Sequence, residues 1–338
     1  MDRLTSSRLD QILHRARDLR VLVVGDLMLD VYLRGAASRI SPEAPVPVVR
    51  VSEEWRALGG AANVAANVVA LGAQCTVVGT IGRDAAGAEL RQELAECGIT
   101  DDALVEVEGR PTTVKTRVMV RHHQVARYDI EMEDDVEAEI TDALIASIHE
   151  QIDKVDAVVL EDYNKGVLVP RVIQTAIAAA RLGNKPVIVD PKYRSFFDYA
   201  GASVFKPNLI ELQTALRAEV EPDDPEWLEQ IRRRLDCEHL LVTLGEDGMA
   251  LRSADGAYMR VPTMARSVYD VSGAGDTVTA TLAVALAAGE SATGAAVLAN
   301  HAAGIEVGKA GVATVSPDEL REVVREHHER AVSASARD

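Results

Sequence analysis

The sequence predicts an α/β fold with a mostly parallel central sheet, helices on both faces and a small β-sheet lid. Three observations carry that expectation. Short apolar runs ending in glycine or polar residues alternate with helix-like segments along most of the chain, the pattern of a parallel sheet covered on both sides. Two segments of alternating apolar residues, one carrying three prolines, interrupt the pattern and suit an edge or a lid. A glycine-rich turn, DVSGAGD over Asp270–Asp276, opens into an Ala-rich apolar run, as a helix does when its start meets an anion. The expected division is one principal domain over residues 1–330, with lid segments near 31–57 and 105–131 and a disordered tail over 331–338.

The 338 residues hold 36 Lys and Arg against 53 Asp and Glu, a formal charge of −17. With no basic excess to neutralise phosphates, neither nucleic acid nor an anionic membrane is an expected partner. Cys75, Cys97 and Cys237 are widely spaced and odd in number, which speaks against a disulfide framework or a zinc site and for a reducing cytosol. No run is long and apolar enough to span a bilayer. The N-terminal MDRLTSSRLDQILHRARDLR reads as a charged amphipathic helix, not a signal peptide.

In chain order, Val21–Gly25 is the first central strand, with Asp26 and Asp30 at the carboxyl end, where open α/β sheets bind ligands. No G-x-G-x-x-G follows it and no G-x-x-x-x-G-K-[ST] occurs, so dinucleotide binding and a P-loop are disfavoured. Ser38–Val51, SRISPEAPVPVVRV, is an extended edge or lid segment. Gly59–Gly72 places Ala62, Ala65, Ala66 and Val69 at helical spacing behind Gly59 and Gly60, which let a ligand approach the backbone. Asn63, in the first turn, either meets a sugar hydroxyl or caps locally. CTVVGTIG is strand-like and Ala86–Cys97 helical.

Thr113–Glu131 forms a hairpin turning at HHQ, with Val114, Thr116, Val118 and Val120 on one face and Lys115, Arg117 and Arg121 on the other. It covers a site, pairs with a second subunit, or shows a merely solvated basic face. Beyond it the strands DAVVLEDY, KPVIVDPK and HLLVTLGEDG alternate with helices at Pro170–Leu182, Asn208–Leu216 and Pro225–Leu235. The strand-end rule gathers Asp162, Lys165, Asp190, Lys192, Asn208, Glu211, Thr243 and Gly245 at one rim. Asn208 and Glu211, three apart, suit a hydrated Mg²⁺ or a capped helix start. Asp276 closes the glycine-rich turn. A carboxylate beside a phosphate is repulsive unless it takes a proton from a hydroxyl nucleophile; the alternative is an Asp in the first turn of a capped helix.

GDLMLD, GG-x-x-N, DY-x-KG, DPK, PN-x-x-E, VTLGEDG and DVSGAGDT occur in the order seen in ribokinase-like (PfkB) carbohydrate kinases, and the chain resembles that family from Val21 to Glu326. SRISPEAPVPVV, LGGAANVAANVVALGA and NHAAGIEVGKAGVATVSPDEL resemble the branch that phosphorylates the anomeric hydroxyl of D-glycero-β-D-manno-heptose 7-phosphate. The resemblance implies a ribokinase-like fold, ATP and Mg²⁺, with Asp276 as base and the Gly273, Ala274 and Gly275 amides as anion hole. Asp30 and Asn63 match sugar ligands, Asn208 and Glu211 the Mg²⁺-positioning motif, Thr243 and Gly245 with Gly248 the nucleotide loop, and Asn300 a position beside adenine. Asp270 and Ser272 match part of a K⁺ site, from which Val271 and Ser272 depart relative to DT-x-GAGD. KPN in place of TPN puts Lys206 near the nucleotide loop.

Arg39, Lys115, Arg117, Lys165 and Lys192 are the cations available for a sugar phosphate in so acidic a chain, with Asp162 a further substrate candidate. The resemblance also implies a homodimer joined by lids. Bifunctional relatives carry a nucleotidyltransferase with H-x-G-H, a motif this chain lacks, so a separate adenylyltransferase is the expected pathway partner. A kinase of another sugar or nucleoside, and a non-catalytic sugar-phosphate sensor, are the competing expectations.

Overall fold

The computed structural model describes residues 4–121, 123–265 and 267–335. Helix α1 (Ser6–Ala16) starts where the Thr5 hydroxyl accepts the Arg8 amide hydrogen, and it buries Leu9, Ile12, Leu13 and Ala16. Strand β1 (Arg20–Gly25) follows and leads almost directly into β2 (Leu27–Ile40) and β3 (Pro47–Gly60). Next come α2 (Ala61–Ala70), β4 (Gln74–Val78), β5 (Thr80–Gly82), α3 (Ala85–Glu96), β6 (Val105–Val107), β7 (Thr113–Val120) and β8 (His123–Ile130). The middle of the chain supplies α4 (Ala138–Ile152), β9 (Ala157–Glu161), α5 (Pro170–Leu182), β10 (Val187–Asp190), β11 (Val204–Phe205), α6 (Leu209–Leu216) and α7 (Pro225–Leu235). The last elements are β12 (His239–Thr243), β13 (Met249–Ser253), β14 (Tyr258–Val261), α8 (Ala274–Ala287), α9 (Ala292–Glu306) and α10 (Pro317–Ser335).

The main sheet has eight strands in the order β4-β1-β9-β10-β11-β12-β13-β14. Pairing is parallel from β4 to β12 and antiparallel at β13 and β14. Strand alternation sends Val21 and Val23 into one core and Leu22 and Val24 into another, so each face needs its own cover. Helices α1, α2, α8, α9 and α10 cover the first face; α4, α5 and α7 cover the second. Because the chain leaves β1 towards β4 on one side and β9 on the other, a crevice opens at the carboxyl end of β1, the place where doubly wound sheets bind ligands.

The lid is a four-stranded sheet, β3-β2-β7-β8. It is rooted deeper than the expected boundaries, because β2 and β3 pair from Leu27↔Gly60 outward and the first half of β2 is buried. Residues 105–112 are not part of it: β6 pairs with β5 in a separate two-stranded sheet. CTVVGTIG is accordingly two strands, split at Gly79, where a Cβ would stand 2.5 Å from the Gly25 carbonyl oxygen. The β7–β8 hairpin closes at Val120↔His123, so His123 and Gln124 are strand residues and not the expected turn; Arg121 takes a φ of 56° and residue 122 lies outside the described residues. Helix α10 runs to Ser335, into the expected tail, whose residues 336–338 also lie outside. Among the described residues no helix is long and apolar enough to cross a membrane.

Candidate active site

Helix α8 begins at Gly273 with φ 94°, a conformation that favours glycine, and a Cβ there would also press on Asn63 Nδ2 at 3.1 Å. The Ala274 amide, expected in the anion hole, instead points to the Val271 carbonyl at 3.4 Å, while the first-turn amides of Gly275 and Asp276 have no intrahelical acceptor and are available to an anion. Asp276 sits in this turn, 4% exposed. Asn63 Nδ2 donates to its Oδ2 at 2.6 Å and the Tyr163 hydroxyl donates to its Oδ1 at 2.9 Å. Burial pushes this carboxyl up to about 6 with Asp190 adding to the rise, while the two hydrogen bonds and Lys206 pull it back. A fixed carboxylate whose proton affinity lies near neutrality has the properties of a general base.

Both of its partners are themselves held. Asn67 Nδ2 donates to Asn63 Oδ1 at 3.2 Å, which orients the Asn63 amide so that its nitrogen faces Asp276. Asp26, at the end of β1, accepts the amide hydrogens of Tyr163, Lys165 and Val167 at 2.8, 2.9 and 3.2 Å and folds that loop over the strand end. Asp162, expected at the substrate, turns the other way and accepts from the Asn164 amide and the Tyr199 hydroxyl. Its neighbour Tyr163 is the residue that reaches the site. The signal was present in the DY-x-KG string, but strand alternation past β9 is lost in the loop, and the sequence does not say which of the two side chains turns inward.

Beneath the turn, Glu161, Asp190 and Asp276 bring carboxylate oxygens within 4.8 Å of one another, all buried. Lys206 Nζ lies 2.8 Å from Asp190 Oδ2 and 3.7 Å from where a Cβ on Gly275 would be, so the lysine of KPN underlies the anion-facing turn. Neither Glu161 oxygen has a hydrogen-bond partner, and burial with Asp190 and Asp276 pushes that carboxyl well above the usual range. Lys192 pairs with Glu211 and lies 5.0 Å above the Tyr163 ring. Burial alone would lower its proton affinity; Asp190 and Glu211 reverse that and raise it.

On the other side of the turn lies a cavity of about 550 Å³, lined by Thr243, Gly245, Gly248, Gly275 and Asn300, with Val268 and Val271 on its apolar wall. Asn300 Nδ2 is fixed on the Pro262 carbonyl at 2.6 Å. Asn208 and Glu211 form a capping box for α6, each side chain accepting the other's amide hydrogen at 2.8 Å. With one Glu211 oxygen on that amide and the other on Lys192, the pair fits a Mg²⁺ ion held through water and not by direct ligation. Asp270, half-buried, accepts the Ser272 amide hydrogen on Oδ1 at 2.9 Å and lies near Glu306, whose carboxyl is pushed up to about 8 by burial, then by Asp270 and Asp276, with the Ala313 backbone amide pulling it back. These hard oxygens fit a monovalent cation.

Four of the expected cations already have acidic partners. Arg117 Nη1 lies 2.7 Å from Asp30 Oδ1, so cation and sugar-binding acid occupy each other; Gly59 backs the same carboxylate. Lys115 pairs with Asp129 and Glu131, and Lys165 with Glu131 and Glu133. Arg39 is exposed at the far end of β2 and does not converge on the site within this chain.

The chain matches the model of the pfkB family carbohydrate kinase over residues 18–319. It is 48% identical over 306 residues to the bifunctional protein HldE of Pseudomonas aeruginosa, covering 90% of this chain and 63% of that protein. The HldE of Rhodospirillum rubrum is 46% identical over 318 residues, covering 94% and 64%. The chain thus spans somewhat under two thirds of the length of these relatives. Among solved structures, phosphofructokinase-2 from Escherichia coli in complex with potassium superposes with a TM-score of 0.74 at 21% identity, covering 91% of this chain and 99% of that one. Ribokinase from Arabidopsis thaliana complexed with ribose and ATP gives 0.70 at 21%, covering 90% and 98%; both show the fold.

The buried Lys206–Asp190 pair generates a stability prediction. Lys206→Met removes the ion-pair partner of Asp190 beside Glu161 and Asp276, leaving it only the more distant Lys192, and should cost about 3–5 kcal/mol, the range for breaking a buried ion pair from one side. Lys206→Met with Asp190→Asn should cost less than the single change. Urea unfolding of both variants checks this, and equal losses would show that the lysine contributes packing and not charge.

Proposed function

We propose that this chain, which belongs to the pfkB family of carbohydrate kinases and is an ATP-dependent sugar kinase, phosphorylates the anomeric hydroxyl of D-glycero-β-D-manno-heptose 7-phosphate to the 1,7-bisphosphate. The observation that carries the reading is the Asp276 carboxylate, buried, held from two sides, and placed in a helix start where the Gly275 and Asp276 amides have no intrahelical acceptor. The identity to HldE proteins over the kinase-sized region supports the heptose branch.

In this reading ATP lies in the cavity between Thr243–Gly248 and Asn300, its phosphates directed to the Gly273–Gly275 turn. Asn208 and Glu211 would hold Mg²⁺ arriving with ATP, which when bound would supply positive charge beside the phosphates. Asp276 takes the proton of the attacking hydroxyl as the new O–P bond forms, and the turn amides with Lys206 beneath them stabilise charge on the transferring group. Asp30, Gly59, Gly60 and Asn63 border the sugar. Lys115, Arg117 and Lys165 meet the terminal phosphate by exchanging carboxylates, Asp129, Glu131, Glu133 and Asp30, for phosphate oxygens. K⁺ at Asp270 and Ser272, with Glu306 beside them, cytoplasmic location and a separate adenylyltransferase acting on the product belong to the same proposal. A kinase of an unphosphorylated sugar is the second reading, favoured by the fact that each of these cations already has an acidic partner.

The experiment is ATP turnover against seven-, six- and five-carbon sugars with and without a terminal phosphate. Loss of a charge-assisted hydrogen bond is worth roughly 1.5–3 kcal/mol, so the dephosphorylated heptose should lose about ten- to more than a hundredfold in kcat/KM. Lys115→Ala should narrow that gap by harming only the phosphorylated sugar. Equal kcat/KM for both sugars favours the second reading, and no turnover of any sugar would make the chain a sensor.

On the hairpin Val114 is buried and Val118 and Val120 half-buried within the chain, whereas Ile40, Val46, Val51, Val125, Tyr128 and Ile130 are exposed on the lid. Lid-to-lid pairing of two copies would cover these exposed side chains. Light scattering at micromolar concentration should give the mass of a dimer, and a monomer would contradict the pairing.

A further inference from the structure

Tyr163 has no role in the expected site, yet it supplies one of the two hydrogen bonds on the candidate base. Its place is fixed from several sides. Asp26 holds its amide, the Lys192 ammonium lies 5.0 Å above its ring, and its hydroxyl meets Asp276 Oδ1 at 2.9 Å. Asn63 reaches only Oδ2, so without the tyrosine Oδ1 would lose its side-chain donor on a carboxylate that is 4% exposed, where the charged form is harder to keep.

We propose that Tyr163 is a positioning residue for the base: its hydroxyl keeps the Asp276 carboxylate ionised and fixed in rotation between turnovers. The proposal rests on the reading of Asp276 as base. In the reaction the sugar O–H proton passes to Asp276 as the sugar oxygen bonds to the γ-phosphorus and the bond from that phosphorus to ADP breaks, with ADP keeping the electron pair. The tyrosine hydroxyl loses no proton in this scheme, and burial, reinforced by the neighbouring carboxylates, holds it in its protonated, donating form.

The other groups facing Asp276 are Asn63 from α2, Glu161 at the end of β9, Asp190 at the end of β10, Lys206 after β11 and Glu306 from α9. Tyr163→Phe alters none of them and retains the ring beneath Lys192. A hydrogen bond to a charged group favours the charged form, so its removal raises the proton affinity of Asp276.

The test is the pH dependence of kcat/KM for the parent, Tyr163→Phe, and Tyr199→Phe, whose lost hydroxyl serves Asp162 instead. The parent should show an acid limb at about 6. Tyr163→Phe should move that limb up by roughly one to two pH units and recover most activity above it. Tyr199→Phe should leave it in place. Replacing Tyr163 by 3-fluorotyrosine, a stronger donor of nearly the same shape, should move the limb down. A Tyr163→Phe enzyme slower by the same factor at every pH would overturn the tyrosine's role while leaving the base. A parent profile without an acid limb would remove Asp276 as base and this proposal with it.

Discussion

A carboxylate shut away from water is tolerable at Asp276 because Asn63 and Tyr163 each give one of its oxygens a hydrogen. Much of the fold serves to bring those two donors to one point. Asn63 arrives on α2, which starts at Gly60 on the root of the lid; Tyr163 arrives on a loop clasped by Asp26 at the end of β1. Both thus hang from the central strand where the chain departs in two directions, and α8 delivers the acid between them. Displacing any of the three elements would leave a buried charge with a missing partner, a penalty far larger than a lost surface contact.

Charge is handled locally in this acidic chain. Lys206 lies under the anion-facing turn, tied to Asp190, and offers a cation that solvent does not screen. Lys115, Arg117, Lys165 and Lys192 stand at the rim with carboxylate partners already in place. Any anionic ligand arriving there has to compete with those carboxylates for the cations.

Much of this was legible in the sequence. Alternation of apolar runs with helical spacing gave the parallel sheet, and Asp276 behind Gly273–Gly275 was marked because a carboxylate at an anion-binding helix start needs a chemical reason. Asn208 and Glu211 were ambiguous by spacing alone, and the capping box accounts for the pattern without excluding water-mediated metal. What was not legible depends on side-chain direction outside regular elements. Asp162 and Tyr163 are adjacent, and only the Asp26 clasp decides which faces the base. Glu161 sits at a strand end like the others, but its proximity to Asp190 follows from the β9–β10 register, which spacing along the chain does not encode. Cations were counted as available because their acidic partners, Asp129 and Glu131 above all, lie across a hairpin whose turn was read a residue or two away from where it forms.

The central claim is that Asp276 accepts the proton of the hydroxyl nucleophile. Its most direct test is a single-turnover measurement of phosphoryl transfer by Asp276→Asn beside ATP binding by the same protein, since the amide fills the same space but cannot take the proton. Binding should stay within a few-fold of the parent while transfer falls by on the order of 10² or more, the range for removing a positioned base. Transfer within a few-fold of the parent, with binding intact, would contradict the role assigned to Asp276.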